Sequence, residues 1–238
     1  PACLLTMKDN YYFRKCLIYK AGKRGSDLVK QILAFSRQSD QKPIPTRIQK
    51  VLTEVSKLIR STIPANIEIN WDIQEDCGMV MAEPTQLHQI AMNLITNAYH
   101  AVDSGNGKIN IQLKEKEFKK HSITKNQIKP GRYAMLSVSD NGCGIDSETL
   151  EMIFEPYFTT KEQGKGTGLG LAVVHGIVKE YGGEIFVTSE SGKGSSFEVC
   201  IPLMKSKYIP LTDDLQSVLP SGAEKILVVD DEISIAKL

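Results

Sequence analysis

An uncharged segment at residues 85–102 constrains the fold of this chain more than any other feature. It reads TQLHQIAMNLITNAYHAV and contains no Asp, Glu, Lys or Arg. Its apolar residues repeat at helical spacing, which predicts an amphipathic helix with one face in a core. Because a helix face in water normally carries charge, we expect its other face to be covered as well. That face carries neutral polar side chains, namely Gln86, Gln89, Asn93, Asn97 and His100.

This neutral polar face offers metal ligands as well as hydrogen bonds. Asn93, Asn97 and His100 are spaced i, i+4 and i+7, so they point the same way from a helix. Amide oxygens can ligate Mg²⁺, while amide and imidazole N–H groups can donate to phosphate oxygens. The pattern therefore predicts a ligand site or, equally well, a set of buried hydrogen bonds and loop caps.

A first glycine-rich segment, SDNGCGID at 139–146, follows a predicted strand. Asp140 at the strand end can accept a hydrogen bond from an exocyclic amine, and Gly142 and Gly144 allow backbone to approach a flat ring. The alternative is a tight turn in which Asp146 caps a helix. Both interpretations use the same residues.

A second glycine-rich segment, GKGTGLGL at 164–171, opens a predicted helix. Exposed backbone N–H groups and the helix dipole favour phosphate at such a position, although a flexible hinge loop is the alternative. Neither GxxxxGK[ST] nor GxGxxG after a strand is present, so a Walker A loop and a dinucleotide Rossmann site are not supported. The preceding segment 153–161, IFEPYFTTK, indicates an aromatic-hinged lid or simply a packed turn.

Periodicity along the rest of the chain predicts an α+β fold, a two-layer sandwich of one sheet backed by helices. Prolines at 43 and 45 break the pattern, favour an extended link and predict a domain boundary near residue 42. The expected helices are 21–38, 51–61, 85–102 and 168–181, and the expected strands are 67–73, 78–82, 107–118, 132–139, 183–190 and 195–203.

Composition excludes several classes of function. The formal net charge is +1, so no broad basic field exists to attract nucleic acid. No apolar run is long enough for a membrane span, and the first residues do not read as a signal peptide. Five scattered cysteines without a CxxC pair argue against a disulfide framework and a zinc site. These observations predict a cytoplasmic chain with reduced thiols.

Five short motifs in order identify a resemblance to sensor histidine kinases. NLITNA, DNGCGI, FEPYFTTK, GKGTGLGL and GSSFEV are similar to the N, G1, F, G2 and G3 boxes of that family. The resemblance covers roughly residues 44–204 and implies the GHKL-type α/β sandwich, with ATP and Mg²⁺ as cofactors.

The resemblance also implies roles for individual residues. Asn97 would hold Mg²⁺, Asn93 would assist at the phosphates with His100 as a phosphate contact, and Asp140 would accept from the adenine amino group. Gly142 and Gly144 would admit the base, while Phe154, Phe158 and Lys161 would belong to the lid and its hinge. The other implied ATP-binding residues are Ile145, Thr160, Gly164, Lys165, Gly166, Thr167, Gly168, Leu169, Gly170 and Ser195.

One substitution distinguishes a kinase from a hydrolase. The ATP-hydrolysing relatives carry a water-activating Glu four residues before the metal-binding Asn, where this chain has Asn93. An amide is no general base, so the resemblance implies transfer of the γ-phosphoryl group to a histidine. A non-catalytic ATP-sensing or dimerising module is the alternative, and a GHKL-type ATP hydrolase is a weaker one.

The flanking segments resemble parts of a hybrid histidine kinase. KAGKRGSDLVKQILAFSR at 21–38 is similar to the second helix of the dimerisation hairpin, but the acceptor-histidine motif H-[DE]-F-N-N is absent. EKILVVDDE at 224–232 is similar to the first strand of a receiver domain, in which Asp230 and Asp231 would help to bind Mg²⁺.

These resemblances divide the chain into four parts and imply its partners. The expected parts are a helical dimerisation remnant at 1–42, the catalytic ATP-binding domain at 43–205, a linker at 206–222 and the start of a receiver domain at 223–238. The implied partners are a phosphoacceptor histidine hairpin, a response regulator or receiver domain, and a second copy in the parent protein. That parent could be anchored to a membrane through a region outside this chain.

Overall fold

A computed structural model describes residues 42–102, 106–119, 128–161 and 166–204 of the chain. Helices and strands are intermixed along it, as the sequence pattern predicts. The helices are α1 Ile48–Thr62, α2 Pro84–Ala101, α3 Ser147–Met152 and α4 Gly170–Glu180. The strands are β1 Ile44–Thr46, β2 Glu68–Ile73, β3 Val80–Ala82, β4 Lys108–Phe118, β5 Gly131–Asp140, β6 Glu184–Glu190 and β7 Gly194–Pro202.

Five of the strands form one sheet in the order β2-β4-β5-β7-β6. β2 pairs parallel with β4, with Glu68 opposite Lys108, and all other neighbours are antiparallel. β1 and β3 form a separate two-stranded antiparallel sheet. This second sheet is joined to the end of β7, because the Met204 N–H donates to the Met79 carbonyl at 2.9 Å.

The hydrophobic core lies between one face of the large sheet and the helices. In β4 the alternate residues Ile109, Ile111 and Leu113 are buried, which is the period of a strand with one covered face. Helices α1, α2 and α4 contribute the other side of the core through Leu52, Val55, Ile59, Ile90, Leu94, Ile95, Val174 and Val178. The structure is therefore the predicted two-layer α+β sandwich.

The opposite face of the sheet is polar along β2 and β4. Lys108 pairs with Glu68 at 3.0 Å and Lys114 pairs with Asp72 at 3.2 Å across the parallel strands. At the other end of this face, buried Cys200 lies with Ile128 and Tyr133 in a small apolar cluster. Burial raises the pKa of the Cys200 thiol to about 12. Neither feature contributes to the cavity described below.

The predicted elements between residues 48 and 202 are confirmed to within a few residues. Two short elements were not predicted. β1 falls in the segment expected to be an extended link, and its Pro45 is tolerated since it lies in a two-stranded edge pair. α3 is a single short helix capped by Asp146, whose carboxylate accepts from the Thr149 N–H at 2.8 Å. The capping role considered for Asp146 is thus confirmed.

Several expectations concern residues outside the described ranges. They are the predicted helix at 21–38, the linker at 206–222 and the receiver-like segment at 223–238. Among the described residues, no helix has the length and apolarity that a membrane crossing requires.

Candidate functional site

A cavity of about 670 Å³ opens between α2, the start of α4 and the ends of β5 and β7. It gathers residues from four separate stretches of the sequence. The predicted site residues that line it are Asn93, Asn97, His100, Asp140, Gly144, Ile145, Phe158, Thr160, Lys161, Gly166, Thr167, Gly168, Leu169, Gly170 and Ser195.

The polar face of α2 forms one wall of this cavity. Leu87, Ile90 and Leu94 on the opposite face are at most 4% exposed and pack in the core. Because its apolar side packs in the core, the helix presents Asn93, Asn97 and His100 to the cavity.

A positively charged side chain lies against these amides. The Lys161 Nζ donates to the Asn97 Oδ1 at 3.4 Å and lies 3.0 Å from the His100 Nδ1. Burial lowers the pKa of Lys161, and burial together with the Lys161 ammonium lowers the pKa of His100. Neither side chain has a carboxylate partner within the described ranges. We call Asn93, Asn97, His100 and Lys161 the amide end of the cavity; it is suited to an anion.

Asp140 lies at the other end, on the last residue of β5 and directly opposite Ser195 of β7. Its Oδ1 accepts from the Gly142 N–H at 2.8 Å. Burial raises the pKa of Asp140, while hydrogen bonds from the backbone of Gly142 and Ser195 act in the opposite direction. We call Asp140, Gly144, Ile145 and Ser195 the strand end of the cavity.

The loop that follows Asp140 is held from both sides by backbone contacts. A Cβ at Gly142 would lie 2.3 Å from the Ala101 carbonyl oxygen, and the Cys143 N–H donates to that oxygen at 3.0 Å. Gly144 has φ +68°, and a Cβ there would lie 2.0 Å from the Glu190 carbonyl oxygen. Gly142 does not line the cavity; the structure shows that it lets the loop dock on the end of α2.

The segment before α4 is tied to the start of that helix. Tyr157 has φ +69°, is 71% exposed, and its N–H donates to the Gly168 carbonyl at 2.9 Å. Gly168 has φ +67°, and a Cβ there would lie 2.3 Å from the Tyr157 carbonyl carbon. Phe158 lines the cavity, whereas the Phe154 ring stacks 5.0 Å from the ring of His175. These contacts fix an aromatic turn beside the cavity wall.

The first turn of α4 completes the wall facing Asn93. A Cβ built on Gly170 would lie 3.2 Å from the Asn93 Oδ1, so the helix start and the amide are in close proximity. Val174, Ile177 and Val178 anchor the helix in the core. A helix N-terminus carries free N–H groups and positive potential, which adds to the attraction of the amide end for an anion.

Sequence reasoning missed several lining residues. Gln89 was visible on the polar face of α2 but was not placed in the site, and Phe197 could have been found from the alternation of β7. Cys143 and Thr149 also line the cavity and carried no separate signal, while Asp146 lines it too but was singled out only as a helix cap. Four predicted site residues, Gly164, Lys165, Asp230 and Asp231, lie outside the described ranges.

Comparisons with known proteins show the family to which this chain is similar. Residues 82–205 match the family described as histidine kinase-, DNA gyrase B- and HSP90-like ATPase. The chain is 35% identical over 231 residues to the sensor kinase CckA of Brucella abortus (strain 2308), covering 90% of this chain but 24% of that protein. The chain thus spans about a quarter of the length of that relative.

Two solved structures share the fold. Full-length ShkA in complex with AMPPNP is 25% identical with a TM-score of 0.59, covering 76% of this chain and 36% of that chain. The histidine kinase ThkA in complex with the response regulator protein TrrA is 26% identical with a TM-score of 0.59, covering 79% of this chain and 50% of that chain.

Proposed function

The chain belongs to the histidine kinase-, DNA gyrase B- and HSP90-like ATPase family. We propose that its cavity holds ATP so that the γ-phosphoryl group can be transferred to a histidine. ATP binding follows from the family. The similarity to CckA and ThkA identifies a two-component histidine kinase catalytic region. The observation that carries the proposal is the polarity of the cavity, which has hydrogen-bond acceptors at its strand end and the Lys161 ammonium beside neutral polar side chains at its amide end.

The strand end is proposed to hold the base. The Asp140 carboxylate accepts hydrogen bonds and donates none when ionised, so it suits the exocyclic amine of adenine. Phe197 and Ile145 line the same part of the cavity and offer apolar surface to a flat ring. Gly142 supports this arrangement indirectly, because it docks the loop on α2 instead of touching the ligand.

The amide end is proposed to hold the triphosphate. The Lys161 ammonium and the His100 imidazole supply positive charge or N–H donors, and the first turn of α4 supplies backbone N–H groups. The remaining proposed contacts from the lid region are Phe158, Thr160, Gly164, Lys165, Gly166, Thr167, Gly168, Leu169 and Gly170.

Asn97 is proposed to ligate Mg²⁺ between the phosphates. Its Oδ1 faces the cavity and already accepts from a cation, the Lys161 ammonium, and an amide oxygen is a ligand that Mg²⁺ accepts. No cluster of three His, Cys, Asp or Glu side chains suited to a metal occurs in the described part of the chain. The other ligands would be phosphate oxygens and water. Bound Mg²⁺ would neutralise charge on the transferred phosphoryl group.

Asn93 favours kinase chemistry over hydrolysis. It lines the cavity beside the start of α4, where a hydrolase needs a carboxylate to activate water. The proposed reaction moves the γ-phosphoryl of ATP to a histidine imidazole nitrogen. The bond between the γ-phosphorus and the β,γ-bridging oxygen breaks, ADP leaves with that oxygen, and a nitrogen–phosphorus bond forms through the free lone pair of the imidazole. The cavity contributes positioning and charge stabilisation, which dominate phosphoryl transfer.

The acceptor histidine is proposed to come from a separate dimerisation hairpin. The four histidines of the chain all lie between residues 88 and 175, outside the segment that resembles the hairpin. The complex of ThkA with TrrA supports a response regulator or receiver domain as the next acceptor. Residues 21–38 and 224–232, with Asp230 and Asp231, are proposed to be the hairpin helix and receiver start of a hybrid, homodimeric parent.

The decisive experiment uses ATP labelled on the γ-phosphate. The purified chain is incubated with Mg²⁺ and labelled ATP, with and without a separately supplied histidine hairpin, and acid-labile, base-stable protein phosphate is measured. We expect ATP binding, no label on the chain alone and label on the hairpin.

Other results of that experiment would contradict the proposal in distinct ways. Steady release of phosphate beyond stoichiometry, without label on the hairpin, would identify a hydrolase. ATP binding without transfer or release would identify an ATP-sensing module. Label on the chain alone would show that one of its own histidines is an acceptor. The Asn97→Ala variant should lose label on the hairpin and serves as the negative control.

A further inference from the structure

A serine behind the cavity wall joins three parts of the strand end. The Ser189 Oγ accepts from the Ile145 N–H at 2.8 Å, donates to the Gly194 carbonyl at 3.0 Å and lies 2.9 Å from the Ser195 Oγ. Ser189 itself does not line the cavity, whereas Ile145 and Ser195 do. Its hydroxyl therefore contacts the residues of the site without facing the ligand.

The number of protons on the two serines decides the direction of their mutual hydrogen bond. Ser189 has one hydroxyl proton, and the Gly194 carbonyl takes it. One lone pair of the Ser189 Oγ is used by the Ile145 N–H. The remaining lone pair can only accept, so the Ser195 hydroxyl proton must point to Ser189.

This direction leaves Ser195 with only lone pairs for the cavity. Ser195 is 6% exposed and lies opposite Asp140 in the β5–β7 pairing, so their side chains share one face of the sheet. The Asp140 carboxylate is also an acceptor. Two neighbouring groups at the strand end thus accept hydrogen bonds, and neither donates one.

We propose that Ser189 is a positioning residue that makes the site select a 6-aminopurine over a 6-oxopurine. It acts by holding the Ser195 hydroxyl in its acceptor orientation. A 6-amino group can donate to both acceptors. A 6-oxo group would instead place its own acceptor against the Ser195 oxygen, so that neither of these two oxygens has a donor from the other. The inference rests on the proposed placement of the base at the strand end.

The test compares ATP with inosine triphosphate, which carries an oxygen at position 6 and lacks the 2-amino group of guanine. Dissociation constants are measured by calorimetry for the unaltered chain and for Ser189→Ala. In the variant the Ser195 hydroxyl is released and can donate to the 6-oxo group. We expect the preference for ATP to fall about fivefold, mainly because inosine triphosphate binds more tightly.

A matched control separates this effect from a loss of structure. Ser196→Ala removes the neighbouring hydroxyl of β7, on the opposite face of the strand, and should leave the preference unchanged. Ser189→Thr keeps the hydroxyl and should also behave like the unaltered chain. A general weakening of the fold would weaken both nucleotides alike, so an unchanged ratio in Ser189→Ala would overturn the inference.

A double-variant cycle tests whether Ser189 acts through Ser195. Ser195→Ala should reduce the preference by itself, and adding Ser189→Ala should change it no further; an additive change would overturn the inference. If Ser189→Ala does not fold, Ser189→Cys provides a weaker hydrogen-bonding group and should lower the preference in the same direction. Failure of the unaltered chain to bind ATP would instead refute the proposed function.

Discussion

The two ends of the cavity are built by different means. At the strand end, apart from the contact between the Ser189 and Ser195 hydroxyls, the contacts involve backbone, such as the Gly142 N–H on Asp140 at 2.8 Å and the Gly192 N–H on the Cys143 carbonyl at 2.6 Å. At the amide end the contacts join side chains, as in the 3.4 Å approach of the Lys161 Nζ to the Asn97 Oδ1. Long side chains have rotamers to exchange, whereas a loop held by backbone contacts has few alternatives.

This difference matches the two tasks proposed for the ends. Recognition of a base needs hydrogen-bond acceptors held at fixed positions. Glycines that pack against neighbouring backbone keep the loop beside these acceptors in place. Binding of a triphosphate needs charge that rearranges as phosphates and metal enter, and a lysine beside an amide provides it. If this comparison holds, the fold should tolerate little change in the backbone at the strand end. At the amide end, nucleotide binding should depend on the polar and charged side chains.

The largest expected effect is on stability at the strand end. Gly144→Ala places a Cβ 2.0 Å from the Glu190 carbonyl oxygen at φ +68°, so it should lower the free energy of unfolding by about 3 kcal/mol or more. Gly192→Ala is the matched control, because Gly192 has φ +79° with nothing within 4 Å. It should cost about 1 kcal/mol. Urea unfolding measures both, and equal losses would show that the loop is not clamped.

The next effect concerns the amide end. Asn97→Ala removes the proposed Mg²⁺ ligand and should weaken ATP binding in Mg²⁺ about 100-fold. The loss should be much smaller in EDTA, where no metal needs the amide. Asn110→Ala, on the exposed side of β4, is the matched control and should bind like the unaltered chain. Calorimetry that finds undiminished affinity in Mg²⁺ would remove Asn97 from the metal site.

A smaller effect is expected at the base. Asp140→Asn replaces a pure acceptor by an amide that can also donate, so the preference for ATP over GTP should fall about tenfold. Asp76→Asn changes an exposed carboxylate away from the cavity and serves as control. Competition binding with the two nucleotides measures the ratio. A preference that survives in Asp140→Asn would place the base elsewhere.

The smallest effect is a pH dependence at the amide end. Burial and the Lys161 ammonium lower the pKa of His100, so the free protein takes up a proton there less readily than a histidine in water. Phosphates favour the protonated form, and binding is then linked to proton uptake. ATP affinity should therefore rise about threefold more from pH 8 to pH 6 in the unaltered chain than in His100→Gln. Parallel pH profiles would contradict a phosphate contact by His100.

The helices and strands of the sandwich could be predicted because the spacing of apolar residues along each one shows which of its faces is buried. The alternation of Ile109, Ile111 and Leu113 marks a strand with one buried face, and the pattern of Leu87, Ile90 and Leu94 marks the buried side of α2. β1 was missed since three residues containing a proline carry no usable period. α3 was anticipated only as a possible cap at Asp146.

The sequence predicted many of the residues that line the cavity, but it did not predict the contacts among them. The absence of charge on α2 and the two glycine-rich segments identified most of the cavity lining. The close packing of Gly142 on the end of α2 was not predicted, because the local sequence does not show that a Cβ there would meet the Ala101 carbonyl oxygen. Neither the left-handed backbone conformation of Tyr157 nor the contacts of Ser189 could be predicted from the local sequence.

The sequence by itself determined which residues face a core, which face carries neutral amides, and where loops need glycine, since these depend on neighbours within one or two turns of chain. Only the tertiary structure decided the strand order β2-β4-β5-β7-β6 and brought Ser189, Ile145 and Ser195 together. Hydrogen bonds such as that from Ile145 to Ser189 join residues 44 positions apart. The physical reason is that such a contact forms only after the sheet has brought β6 beside the loop that follows β5, and no local pattern records the geometry of a distant partner.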